Sequence, residues 1–237
     1  MSERITSYRD GRIIAVITLI VGPLTLIIAD VMQWMLQPTG ADPTPADVAT
    51  QFPAAWLIVA LLSVLGPIVW LTGLPAASAL PDRRGALATR VGAVVTGLGL
   101  AAGVGHLALF FGLYGSLASA GLDVEAARRM AAAGDADVIG NVLLIMFLVC
   151  YSLGPIVLTV GLRIARRVAV WVPIAAVLTA GANLFGGPIA GIVQLVALAG
   201  VWGAVVWAVL RSDGGPAPRR SSDPTRSRAA ARPTLKA

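Results

Sequence analysis

The chain has 237 residues, 57% of them hydrophobic and only 13% charged, with a mean hydropathy of +0.82. A soluble domain carries about 25% charged residues, so this balance excludes a soluble globular class and leaves one membrane domain with short loops. The net charge of +6 does not mark a nucleic-acid binder, because the basic residues sit at alternate ends of apolar runs, the pattern that sets membrane orientation.

Residues 1–11 are polar, carry Arg4 and Arg9, and read as a cytoplasmic N-terminus. The run from Ile13 to about Trp34 is too long for a signal-peptide core and has no small-residue cleavage site after it, so it reads as a retained first span. Residues 37–52 form an aqueous loop in which PADVATQ can make one short surface turn. The second span runs from about Pro53 to Leu80 and stops at Pro81, Asp82, Arg83 and Arg84; the third runs from about Arg90 to Ser119. In residues 120–137 Asp123 and Glu125 come early and Arg128 and Arg129 late, which suits a short surface helix of about three turns. The fourth span runs from about Val138 to Leu162, followed by Arg163, Arg166 and Arg167. The fifth runs from about Val168 to Phe185, and after Gly186-Gly187-Pro188 the sixth continues to Leu210. Residues 211–237 hold seven basic residues and almost no large apolar side chain, so they read as a disordered cytoplasmic tail.

Sixteen of the eighteen basic residues fall on one side of this arrangement. The expected fold is therefore an all-α polytopic transmembrane bundle over residues 12–210, with six spans and both termini in the cytoplasm. Trp34 and Trp56 fall near the outer boundary, Trp171 and Trp207 near the inner one, as interfacial anchors do.

One phrase recurs. VLGPIVWLTGL at 64–74 and SLGPIVLTVGL at 152–162 are close copies, and IVGPLTLIIAD at 20–30 is a looser third. Pro23, Pro67 and Pro155 each remove a helix donor and free the carbonyl four residues earlier, so three kinked helices that lean on partners are expected. The second and fourth spans run in one direction, and the third and fifth return after Arg90-Val91 and Arg167-Val168. Spans 2–3 and 4–5 thus read as two copies of one hairpin related by an axis along the membrane normal, a parallel repeat found in transporters. Gly99-xxx-Gly103 and Gly187-xxx-Gly191 are small-residue seams that serve contact within the chain or a homo-oligomer equally well.

Polar residues inside the spans are few. His106 lies 16 residues after Arg90, Asn183 lies 16 after Arg167, and Asp30 lies 18 after Arg12. At about 1.5 Å per residue these positions share the outer part of the membrane, as do Asn141 and Gln194. Asp30, His106, Asn141, Asn183 and Gln194 are the candidate lining of a polar pocket open to the outer face, with Asp30 and His106 as its titrating pair. A structural reading stands beside it, with His106 bonded to a carbonyl, Asp30 at headgroup level and Asn183 supporting the turn at Gly186.

Other chemistry is poorly served. One histidine and one cysteine, Cys150, fall short of the three or four ligands of a transition-metal site. There is no phosphate-binding loop after a strand, and Ser116 lies about 15 Å along the helix from His106, too far for a dyad. No catalytic residue, cofactor or metal is expected, and the chain reads as a non-enzyme. Its expected partners are the bilayer, with the basic tail drawn to anionic lipid, and a second copy of itself; nucleic acid is not among them.

The segments TPADVATQFPAAW and PDRRG, the alanine- and glycine-rich helices and the basic tail together resemble multi-pass membrane proteins of actinobacterial type. The resemblance covers most of the chain, implies a bacterial plasma-membrane location and brings no activity or catalytic residue with it. The expected function is structural, accessory or regulatory through helix packing. The alternative is a small transporter or ligand-binding protein using an outward-facing pocket between the repeated hairpins.

Overall fold

The computed structural model describes residues 2–36, 44–81, 83–120, 124–185 and 187–212. Among them there are eight helices and no strand: α1 Ser2–Met35, α2 Pro45–Gln51, α3 Pro53–Ser78, α4 Ala86–Ser119, α5 Val124–Asp135, α6 Val138–Ile164, α7 Trp171–Phe185 and α8 Gly187–Arg211. The two short surface helices expected between spans are α2 and α5. Residues 2–10, read as a polar N-terminus, continue α1 as helix. Asp42, Asp123 and the tail beyond Ser212 lie outside the described residues.

Five helical segments are long and apolar enough to cross a membrane: Gly11–Met35, Pro53–Ser78, Ala86–Ser119, Val138–Ile164 and Ile189–Arg211. Their outer faces carry large apolar side chains such as Ile13, Ile17, Leu24 and Ile28 on α1, as a lipid-facing surface does. The fifth expected span, from Val168, is shorter than anticipated. Helix resumes only at Trp171, and the 15 residues of α7 reach about 22 Å against a hydrocarbon core of about 30 Å.

The cause is the end of α6. Arg166 takes a left-handed φ of 58°, and the Arg167 amide donates back to the Leu162 carbonyl at 2.9 Å. This closes the helix in the manner usually given to glycine. A side chain in that conformation costs about 1 kcal/mol or more. Arg166→Gly is therefore expected to stabilise the protein by about 1 kcal/mol, read as a raised unfolding midpoint in lipid-free detergent.

The five long apolar helices and α7 form a closed ring in which α1, α3, α4, α6, α7 and α8 touch in that order and α8 returns to α1. The most extensive contacts are α4 with α6 and α1 with α3. All three Gly-Pro pairs are buried, and α1, α3 and α6 each run unbroken through their proline.

Glycine contacts explain why those two pairs dominate. A methyl group on Gly66 or Gly73 of α3 would strike Thr25 or Thr18 of α1. On Gly154 or Gly161 of α6 it would strike Thr96 or Thr89 of α4. Each of these four pairs of like residues is spaced by seven, two helical turns. Every threonine hydroxyl donates to a carbonyl of its own helix: Thr18 to Ala15 (3.0 Å), Thr25 to Gly22 (2.7 Å), Thr89 to Gly85 (2.9 Å) and Thr96 to Gly92 (2.7 Å). With its polar group satisfied locally, each threonine can seat against a bare glycine of the facing helix. The contact that recurs therefore joins the Gly-Pro helices α3 and α6 each to the long helix before it, with a short helix between, rather than to the helix after it. The expected repeat of spans 2–3 and 4–5 pairs the helices differently.

The seams Gly99-xxx-Gly103 and Gly191 are used within the chain. Gly99 faces the Tyr151 backbone, Gly103 the Phe147 ring and Gly191 the Trp34 ring.

Of the short helices, α2 is held by a reciprocal cap. The Thr44 amide donates to Asp47 at 2.9 Å, and the Asp47 amide donates to the Thr44 hydroxyl at 3.3 Å. The Thr44 hydroxyl, then its amide, holds the Asp47 carboxyl below the usual carboxylate range. A lowered folded pKa means that the cap contributes above the unfolded value of about 3.9 and is lost as pH falls through the folded one. Fraying of α2 is expected on acidification below about pH 4, visible in the amide chemical shifts of Thr44 and Asp47. Asp47→Asn should abolish that pH dependence.

Candidate functional site

The expected polar pocket is divided among several places. His106 lies in the seam between α4 and α6, where its Nδ1 sits 3.2 Å from the Gly140 carbonyl oxygen. A carbonyl only accepts, so this contact assigns the proton to Nδ1. The ring also lies 6.3 Å from that of Phe110.

Asp30 lies on α1, one turn before Trp34, whose ring packs on Gly191 of α8. Among the described residues no hydrogen bond or ion pair joins Asp30 to His106.

Asn183, half-buried on α7, lines a small cavity with Tyr151, Thr179 and Trp202. Its free volume is about 10 Å³, room for about one water. Gln194 is half-buried on α8, and Asn141 is exposed near the start of α6. Of the five residues, none shares this cavity with Asn183.

The space between the helix pairs is filled by aromatic rings. Trp70 of α3 and Trp202 of α8 are 0% and 2% exposed. Their rings meet edge to face at 4.6 Å and 84°, and Trp70 meets Tyr151 in the same way at 6.0 Å and 85°. Gly22 makes room for Trp70, since a methyl group there would lie 2.7 Å from the Trp70 Cα. Neither indole N–H has a hydrogen-bond partner among the described residues. Tryptophan is common in membrane proteins as an interfacial anchor, which hid the central role of these two.

Chemically the arrangement offers a phenol and two buried indole donors. Among the described residues no three His, Cys, Asp or Glu side chains come together to hold a metal ion. Cys150 is a free, half-buried thiol. No protein-family model, curated protein or solved structure matches this chain.

Proposed function

We propose that the chain is a six-span membrane scaffold with both termini in the cytoplasm, whose role is structural, accessory or regulatory through helix packing. In this reading α7 is a sixth, short crossing, and the chain is not an enzyme. The observation that carries it is the aromatic plug of Trp70, Tyr151 and Trp202, where a transporter would keep a connected polar cavity. The cavity at Asn183 holds about one water, which disfavours the alternative of a small transporter with an outward-facing pocket. The basic ends of the helices support the orientation.

Single-cysteine labelling tests the reading. In a Cys150→Ser background, Thr50→Cys and Ser119→Cys are expected to react with a membrane-impermeant maleimide on intact cells, and Ser78→Cys and Ser212→Cys only after lysis. Labelling of Ser212→Cys from outside would overturn the six crossings. Solute or proton flux into vesicles that exceeds the protein-free leak and is lost in Asp30→Asn would overturn the packing role in favour of transport.

A further inference from the structure

We propose that the open groove between α7 and α8 is a binding site for one anionic phospholipid. The groove has a volume of about 940 Å³, at the upper end of the range of about 300–1,000 Å³ typical of ligand clefts. Its charged end is formed by Arg166, Arg167 and Arg211, with Trp207 one turn from Arg211 and the Trp171 ring lining the groove beside Gly200. A second cavity of about 250 Å³ continues from that end, sharing Arg166 and Arg167 and adding Arg83 and Arg84. Among the described residues no carboxylate lines either cavity.

Three observations point to a lipid rather than to a free anion. First, the groove is long and apolar. It follows α8 from Arg211 back to Ala199 along a trough floored by Gly200, Gly203 and Ala204. The twelve helical steps from Ala199 to Arg211 reach about 18 Å, close to the depth of one leaflet, about 15 Å. Second, Trp207 lies one turn before Arg211, where the trough meets the charged end, the level at which such rings sit in a bilayer. Third, the charges are placed. The Arg211 guanidinium lies 4.2 Å over the Trp207 ring, which holds it beside the groove. The left-handed turn at Arg166 ends α6 there and delays α7, whose short length leaves the trough open. A phosphate at the arginines with an acyl chain along the small-residue floor satisfies both ends at once. This rests on membrane embedding and not on the packing role.

The test uses the full chain in mild detergent, with native mass spectrometry against phosphatidylglycerol and phosphatidylcholine. One phosphatidylglycerol is expected to be retained in preference to phosphatidylcholine. Arg166→Gln combined with Arg211→Gln should weaken retention by about tenfold or more. Gly203→Leu should weaken it with no change of charge. A Cβ at Gly203 meets nothing within 4 Å, so this variant fills the trough without disturbing the protein, and its unchanged unfolding midpoint checks that. Neutralising Arg219 and Arg220 in the tail should leave retention intact. Equal retention of both lipids, displacement by millimolar inorganic phosphate, full retention in the double variant or in Gly203→Leu, or loss on neutralising the tail would each overturn the site.

Discussion

Gly92→Ala is expected to destabilise the protein by about 3 kcal/mol, while Gly112→Ala on the same helix is neutral or stabilising by up to about 1 kcal/mol. The chemistry of the two changes is identical, and only the neighbour differs. A methyl group on Gly92 would lie 2.5 Å from the Leu158 Cα, so α4 and α6 must separate along their most extensive contact. Backbone cannot swing aside as a long side chain can, and helix association in lipid depends on this close approach rather than on a hydrophobic drive. At Gly112 an added methyl meets nothing within 4 Å, and alanine is the better helix former. Unfolding midpoints in one detergent would show opposite signs. Equal midpoints would mean that the α4–α6 seam does not hold the bundle together.

The second large effect is expected at the centre. Trp70→Ala should cost about 3 kcal/mol, and Trp70→Phe less than about 1.5 kcal/mol. In water the loss of a buried tryptophan combines a transfer term and a cavity term. In a bilayer the transfer term is small, because the unpacked helix still sits in hydrocarbon. The cavity term remains, and Trp70 is 0% exposed and touches the rings of both Tyr151 and Trp202. Phenylalanine keeps an aromatic edge in place. It also removes an indole N–H that has no partner among the described residues, so no hydrogen bond is lost. If Trp70→Phe cost as much as Trp70→Ala, the indole nitrogen itself would be doing structural work.

Much of this architecture was legible in the residues. Apolar length located the five long membrane helices, the PADVATQ turn fell on α2, and the ordering of acids before bases located α5. The Gly-Pro phrase correctly marked helices that lean on partners. It did not say which partners. Glycine tolerates close approach from any side, and a threonine bonded to its own helix looks like ordinary membrane sequence. The spacing of seven in Thr18/Thr25 and Thr89/Thr96 gains meaning only opposite Gly73/Gly66 and Gly161/Gly154. The brevity of α7 was hidden for a local reason, because an arginine at a left-handed position gives no warning of a helix end. Depth placed Asp30, His106 and Asn183 together because it follows from counting residues. Which residues meet depends on neighbours that are distant in the chain, and these put His106 against Gly140 and Asn183 beside Tyr151 and Trp202.

The threonine–glycine contacts also bear on how the molecule is made. Each set joins two long helices that leave the ribosome one after the other, α1 with α3 and then α4 with α6. The first pair can close before the second has been synthesised, and neither must wait for a distant part of the chain. The aromatic centre is different, since Trp202 arrives last. The arrangement implies two early clasps and one late keystone, so a nascent chain whose first 85 residues have cleared the ribosome would already hold a packed pair of helices in the bilayer.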